Sequence, residues 1–451
     1  MAKLWDKGYE LDKEIEAFTV GIDYVLDREL VWADCAGSVA HARMLAKIGV
    51  LTDDEAKALT RELRAIARDA EFTVLPEQED VHTAVEQRLT QKLGDAGKKV
   101  HTARSRNDQV IVDLRLYGKA RLLAVMGDLL AMAGALAEFA DAHKGVPMVG
   151  RTHMQRAMPS SVGLWAGAYL EALLDDFELL KGAYALNDQC PLGSAASYGV
   201  PLAIDRQYVS DLLGFARVQN NVLYANNSRG KTESVILAAL AQVATDLSRF
   251  AQDGILYSLP EFGYFTLPDE LCGGSSIMPN KKNPAGLELT RAKAAAVTGC
   301  LTQTLEVLRG LPSGYNRDVQ ETKEPFVRGL RTTQGMLRVC RVIAEKMQVN
   351  KAKCAAAFDG EVFATDRALE LVLESVPFRD AYRQVAASLD ELESRDPKQA
   401  IARKTHQGAP ANLGLDLSRA GLAEGEGFVA EHSERFGAAL ADVLGADFQL
   451  P

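Results

Sequence analysis

The sequence predicts an all-α fold organised around long helices. Residues 107–143 contain no proline and, as one continuous helix, would form a rod of about 54 Å. Strand signals are few and short, such as residues 71–75. Helices of this length must bury their apolar faces, which favours a lengthwise bundle within the subunit or between subunits. Further helices are predicted over 161–185, 228–257, 286–309 and 325–347.

Capping signals mark where several of these helices start and stop. Thr52, followed three residues later by Glu55, predicts a capping box at the start of an N-terminal helix. Asn283 and Pro284 predict a helix start with the asparagine as N-cap and the proline at the first helical position. That helix is expected to run to Gly310.

The chain of 451 residues is long enough for two or three domains. A dense polar stretch near 101–109 precedes the longest helix. Residues 349–360 are predicted to connect the long-helix region to a C-terminal part. We therefore expect an N-terminal helical domain over 1–103, a central long-helix domain over 104–356 and a C-terminal helical domain over 357–451.

Composition and charge argue against several classes of protein. The net charge of −10 disfavours nucleic acid or an anionic membrane as the main partner. The charged N-terminus lacks an apolar signal segment, and no run approaches eighteen uninterrupted apolar residues, so a cytoplasmic protein without a membrane span is expected. Six cysteines without a C-x-x-C pair and seven histidines without a metal-binding spacing predict reduced thiols, no metal and no cofactor.

The loop "GGSSIMPNKKNP", residues 273–284, combines flexible glycines, hydroxyl groups and two lysines just before a predicted helix. Backbone N–H groups and the dipole at a helix N-terminus favour an anion, and Lys281 and Lys282 add positive charge there. The loop is therefore a candidate anion site. A solvated turn with incidental lysines explains the composition equally well.

Three more polar stretches lie between predicted helices. "GRTHMQRAMP", 150–159, contains His153, a candidate acid or base that Glu288 orients if the two approach in space. Taken alone, each stretch could be a surface or capping segment, with Ser105 or Asn107 as an N-cap. Together they suggest one site for an acidic small molecule. Residues 101–110 contribute Ser105, Arg106 and Asn107, and residues 313–325 contribute Tyr315, Arg317, Gln320 and Lys323.

These stretches resemble the fumarase/aspartase superfamily and, within it, the argininosuccinate lyases. The similarity spans about residues 15–385 and is carried by "GSSIMPNKKNP", "RSRNDQV", "YNRDVQETKEP", "QEDVHTAVEQRL" and "DCAGSVAHARML". The resemblance implies an all-helical, three-domain subunit. It also implies that four central domains form one tetrameric bundle, with each active site shared between three chains.

The implied reaction is the reversible anti elimination of argininosuccinate to arginine and fumarate, a dicarboxylate, without a cofactor. Such a reaction needs a base, an acid and donors aimed at the developing negative charge. By the resemblance, Ser275 is the base, His153 with Thr152 is the acid side, and Glu288 is the partner of the histidine. Lys281 and Asn283 hold the carboxylate that gains charge. Substrate-binding positions are Ser105, Arg106, Asn107, Tyr315, Gln320 and Lys323.

Four positions depart from the pattern of the argininosuccinate lyases. Near residue 23 that family has a stretch with a substrate-binding serine, whereas this chain has Gly21 and Asp23. Arg229, Gly230 and Lys231 replace a stretch containing an acidic residue. Ala103 replaces a glycine, and Tyr382 replaces a histidine. The first two bear on the leaving amine, so a related C–N lyase that releases fumarate from another N-succinyl amine stays open. A non-enzymatic structural protein of the same fold is disfavoured, because the acid–base residues are intact.

Overall fold

The computed structural model describes residues 12–450, and helices dominate throughout. The all-α prediction is confirmed, because the strands form only small two-stranded sheets. The capping box at Thr52 is also confirmed, since Thr52 Oγ1 accepts from the Glu55 amide at 3.2 Å and Glu55 accepts from the Thr52 amide at 2.9 Å. The N-terminal helices are α1 (Lys13–Val20), α2 (Asp23–Leu26), α3 (Val31–Lys47), α4 (Asp53–Arg68), α5 (Val81–Leu93) and α6 (Asp95–Lys99).

The strand predicted over 71–75 is wrong. Residues 72–75 have no regular structure, and Val74 alone in this stretch is fully buried. No other strand of the described chain pairs with the segment. A strand needs a neighbour for its backbone N–H and C=O groups, and β-propensity alone does not supply one.

The predicted rod is confirmed as a single 38-residue helix, α7 (Arg106–His143), about 57 Å long. Ser105 precedes its first residue and caps it. The Ser105 hydroxyl accepts from the Asn107 amide at 3.2 Å, and the Asp108 side chain accepts from the Ser105 amide at 2.9 Å. Ser105 rather than Asn107 is therefore the N-cap. The rest of this region comprises β1 (Pro147–Thr152), β2 (Gln155–Ser161), α8 (Val162–Asn187), β3 (Gln189–Cys190), α9 (Arg206–Leu212), β4 (Arg217–Val218), α10 (Val222–Asn227), α11 (Lys231–Ser258), β5 (Phe265–Thr266), α12 (Ala285–Leu308), α13 (Lys323–Lys346) and β6 (Gln348–Val349).

Helices α7, α8, α11, α12 and α13 pack against one another as a bundle. Two of them, α7 and α11, are long and apolar enough to cross a membrane by length and composition alone. Their most apolar stretches are 61% and 56% buried inside the structure, as expected for core helices of a bundle.

The predicted start of α12 is wrong by one residue. Pro284, not Asn283, is the N-cap, and the helix runs from Ala285 to Leu308. Asn283 is instead held in an isolated antiparallel bridge, in which its amide donates to Gly273 O and its carbonyl accepts from the Gly273 amide, both at 2.8 Å. Because this bridge fixes the Asn283 backbone, its side chain does not reach the first helical amides.

Residues 150–159, expected to be an irregular connection, form most of a β-hairpin. Strands β1 and β2 pair antiparallel from Pro147–Ser161 to Thr152–Gln155, leaving His153 and Met154 as a two-residue turn. Both turn residues have positive φ, 53° and 64°. This is the requirement of a type I′ turn, whose twist matches that of the paired strands.

The C-terminal part ends in a long helix that returns to the N-terminal part. Arg43 Nη1 contacts Asp442 at 2.6 Å, and Arg64 Nε donates to Val443 O at 2.9 Å. The division into three domains stays a prediction.

The helices of the C-terminal part are α14 (Lys351–Ala356), α15 (Ala364–Leu373), α16 (Phe378–Ala386), α17 (Pro397–Ala402) and α18 (Leu415–Leu444).

Candidate active site

A charged cavity of about 170 Å³ lies where the N-terminal helices meet the start of α7, the α10–α11 turn and the start of α13. Four carboxylates, three arginines, one lysine and one histidine line it, so the cavity carries charges of both signs. The lining residues are Val20, Asp23, Asp27, Glu79, Asp80, His82, Arg106, Asn107, Val110, Arg229, Tyr315, Arg317, Gln320 and Lys323.

Lys323 is fully enclosed at the base of this cavity. Its Nζ lies 2.6 Å from Asp27 Oδ1 and 3.0 Å from Asp23 Oδ2, and only 2% of the lysine side chain is exposed. Burial lowers the pKa of Lys323, but the two carboxylates outweigh burial and leave that pKa raised. Burial raises the pKa of Asp23 even though Lys323 opposes the change. Lys323 is therefore protonated and already paired with Asp23 and Asp27.

Arg106, the first residue of α7, is also paired. Its Nε donates to Asp80 Oδ2 at 2.7 Å, and Glu79 lies 3.5 Å from its Nη2. Burial alone would lower the pKa of Arg106, and the two acids raise it instead. Arg317 completes the group, since its Nη2 donates to Glu79 Oε1 at 2.8 Å. This side of the cavity is held rigidly by charge-assisted hydrogen bonds.

A buried histidine, His82, also lines the cavity. His82 Nδ1 lies 3.1 Å from Asp34 Oδ2 and 3.7 Å from Asp113 Oδ2. Burial lowers the pKa of His82, but its hydrogen bond to Asp34 and the charge of Asp80 leave it raised. Burial first, and then the charge of Asp34, raise the pKa of Asp113 well above its usual range. The raised pKa of both groups favours their protonated forms.

The structure brings together five of the six predicted substrate-binding residues. Arg106, Asn107, Tyr315, Gln320 and Lys323 all line the cavity. Ser105 does not line it and acts as the N-cap of α7. These residues converge because the helices that carry them begin at the same end of the bundle.

The sequence analysis did not single out Asp27, Glu79 and Asp80 as site residues. Asp23 and Asp27 are four residues apart in "DYVLD", so a helical reading would have placed both carboxylates on one face. Glu79 and Asp80 lie in "QEDVHTAVEQRL", a stretch that carries the family resemblance and could have pointed to them. Their burial, 6% and 7% exposed, is visible only in the folded chain.

The Ser275 hydroxyl is held by backbone amides of its own loop. Its Oγ accepts from the Met278 amide at 3.1 Å and from the Ile277 amide at 3.4 Å. Amides directed at a hydroxyl oxygen favour its negatively charged form. The loop geometry therefore supplies part of the activation that a serine base requires.

The two adjacent lysines of the loop have different surroundings. Lys282 forms an ion pair with Asp269. The Lys281 side chain is exposed and makes no ion pair within residues 12–450. The side-chain Nδ2 of Asn283 donates to Gly274 O at 3.1 Å and links the two ends of the loop. Lys281 is therefore the free cation here, whereas Asn283 braces the loop.

His153, Thr152 and Glu288 are all exposed. The first two lie at the tip of the β1–β2 hairpin, and Glu288 lies in the first turn of α12. No hydrogen bond or ion pair joins His153 to Glu288 within the described part of one chain. Neither these three residues nor Ser275, Lys281 and Asn283 line the charged cavity. A single chain thus separates the predicted catalytic group from the predicted substrate-binding group.

Comparison with known proteins identifies the family. A family model described as "Lyase" matches residues 9–299. The argininosuccinate lyase of Thermotoga neapolitana is 44% identical over 85% of this chain and 97% of its own length. That of Sorangium cellulosum is 43% identical over 92% of this chain and 97% of its own length. The chain belongs to the argininosuccinate lyase family.

Solved structures of lyases share the fold at lower identity. An EDDS lyase in complex with formate superposes with a TM-score of 0.81 at 23% identity, covering 97% of this chain and 96% of that one. A class II fumarase from Schistosoma mansoni gives 0.69 at 18% identity, covering 87% and 95%. The helical architecture is therefore that of the fumarate lyases.

Proposed function

We propose that this protein is an argininosuccinate lyase, an enzyme that cleaves a carbon–nitrogen bond of argininosuccinate to give arginine and fumarate. The observation that carries this proposal is the identity of 41–44% to eight argininosuccinate lyases, each matched over at least 85% of this chain. The enzyme would thereby serve arginine biosynthesis. A cytoplasmic location agrees with this role and stays an expectation from the sequence.

The elimination begins at Ser275. Its Oγ takes the proton from the carbon beside a succinyl carboxylate, and the electron pair spreads onto that carboxylate. Lys281, whose ammonium has no competing acid in the described chain, stabilises the charge that develops there. Two loop amides already contact Oγ, which supports the serine as the base.

The departing nitrogen needs a proton as the carbon–nitrogen bond breaks. His153, with Thr152 beside it, supplies that proton, and Glu288 orients the imidazole. Because these residues do not line the same cavity within one chain, the complete site would form between subunits of a homotetramer. The loop over 273–284 would then close on the substrate and exclude water.

Fumarate absorbance tests the reaction directly. We expect turnover of argininosuccinate and none of adenylosuccinate, aspartate or malate. Turnover of a different N-succinyl amine instead would favour a related lyase, a possibility raised by Asp23 and Arg229. Activity on none of the substrates by correctly folded protein would overturn the proposal.

The role of the serine is tested with a matched pair of variants. Ser275→Ala removes the proposed base, so turnover should fall on the order of 10²-fold or more with little change in stability. Ser276→Ala removes the exposed neighbouring hydroxyl and should retain near-normal turnover. Equal activity of the two variants would rule out Ser275 as the base.

A further inference from the structure

Arg229 is a buried cation near the Asp23 carboxylate, whose charge acts on it without a direct ion pair. It is 4% exposed, it lines the charged cavity, and its Nε has no hydrogen-bond partner in the described structure. No carboxylate of residues 12–450 forms an ion pair with its guanidinium. Burying an unpaired charge is costly unless a ligand compensates it.

The backbone holds Arg229 firmly in the turn between α10 and α11. Its amide donates to Asn226 O at 3.2 Å, and the preceding Ser228 Oγ accepts from Arg115 Nη2 at 2.9 Å. The next residue, Gly230, has a φ of 80°, a conformation that glycine adopts without strain. These contacts fix the backbone position from which the Arg229 side chain extends.

The other basic side chains of the cavity are already committed. Lys323 is held by Asp23 and Asp27, and the two remaining arginines are held by Glu79 and Asp80. His82 is held by Asp34. Asp23 is one of the two departures noted at this site, and Arg229 is the other. An acid at position 23 occupies the lysine, while the arginine supplies a cation that remains free.

The charge balance of the cavity indicates which end of the substrate it receives. Argininosuccinate has two carboxylates at its succinyl end, and an ammonium and a carboxylate at the other. Arg106, Arg317 and Lys323 are already paired with the lining carboxylates, so too little positive charge is left for a dianionic succinyl group. A zwitterionic amino-acid group, with one charge of each sign, matches a cavity lined by both acids and bases.

We infer that Arg229 binds the α-carboxylate of the arginine half of the substrate and makes this carboxylate a condition for efficient turnover. The inference rests on the proposed function and adds a specificity-determining residue to it. The planar guanidinium can form two parallel hydrogen bonds with a carboxylate, which fixes its position as well as its charge. An amine lacking that carboxylate would leave the buried cation unpaired.

The reverse reaction provides the test, with fumarate and either arginine or agmatine, which lacks only the α-carboxylate. We expect wild-type enzyme to prefer arginine by about 10²-fold in kcat/KM. In Arg229→Met the preference should shrink to a few-fold, mainly through a higher KM for arginine, and Arg229→Lys should be intermediate. Lys231→Met, which removes an exposed cation of the same turn, should keep the wild-type preference.

Two results would overturn the inference. One is wild-type enzyme that uses agmatine as well as arginine, a measurement that needs no variant. The other is an arginine preference that Arg229→Met or Arg229→Lys leaves unchanged, because another group would then read the carboxylate. Both can occur while argininosuccinate is still cleaved, so they are distinct from failure of the proposed function, in which wild-type enzyme releases no fumarate from argininosuccinate.

Discussion

At the scale of single residues, the tip of the β1–β2 hairpin carries the predicted catalytic acid, His153, on a strained backbone. His153 and Met154 both occupy the left-handed region, which costs about 1–2 kcal/mol per residue for a side chain with a Cβ. Asparagine and glycine are the residues that ordinarily fill such a turn. The strained position of His153 agrees with its proposed role as the acid.

We expect His153→Gly to raise stability while abolishing most turnover. Glycine relieves the positive φ but loses more chain entropy on folding, so a net gain of about 0.5–1 kcal/mol is expected. Met154→Gly relieves the same kind of strain and keeps the imidazole, so it should gain stability and retain activity. Denaturant unfolding and fumarate release measure the two effects, and a destabilised His153→Gly would contradict the strain argument.

Ala103 shows the same conflict between sequence and backbone. It replaces the glycine of the similar family stretch, yet the structure keeps a φ of 64° at this position. The turn just before α7 therefore keeps a conformation that suits glycine, and the alanine is accommodated at a cost in strain.

At the scale of elements, α8 and α11 bring carboxylates together inside the bundle. Asp176 is 3% exposed, and its Oδ2 has no partner among the described residues. Burial, then Asp246, then Asp175 raise the pKa of Asp176 to about 7. The folded state therefore binds this proton more tightly than the unfolded chain does, and the associated stability is lost as pH rises from about 4 to about 7.

Asp176→Asn should consequently stabilise the protein at pH 8 by roughly 1–3 kcal/mol. The difference from wild type should shrink towards pH 4.5, where the wild-type carboxyl is already protonated. Asp175→Asn changes the exposed neighbour and should stay within about 0.5 kcal/mol at both pH values. Free energies of unfolding at one protein concentration make the comparison, and a pH-independent gain for Asp176→Asn would contradict the assignment.

At the scale of the whole molecule, α12 has a second face that the subunit does not cover. Its buried residues all lie on the side that packs against α11 and α13. The opposite side carries Ala292, Ala295 and Gly299, all exposed, and Leu289 is 57% exposed. Small side chains let helices approach closely, so this face suits the predicted contact between subunits in a tetrameric bundle.

Gly299→Arg should break this assembly without unfolding the subunit. A side chain at Gly299 meets nothing within 4 Å in the single chain, so only a neighbouring subunit would be disturbed. We expect light scattering to show wild-type protein at four times the 48.9 kDa subunit mass and the variant below it, with turnover lost. Gly427→Arg, at an equally open exposed site on α18, should remain tetrameric and active. A wild-type monomer with full activity would contradict the shared-site hypothesis.

The sequence by itself determined the elements that depend on local chemistry. The capping box at Thr52 follows from two side chains three residues apart, and the continuous rod of α7 follows from the absence of proline. The loop over 273–284 and the stretch before α7 were also recognisable, because their composition differs from that of the surrounding helices.

Only the tertiary structure decided the features that depend on backbone pairing or on residues distant in the sequence. The β1–β2 hairpin needed both strands to satisfy each other's backbone groups, and the start of α12 was set by the bridge between Gly273 and Asn283. Likewise, Asp23 and Arg229 are 206 positions apart in the sequence, and only folding places them on one cavity. Local propensity acts over a few residues, whereas burial and charge pairing are properties of the assembled chain.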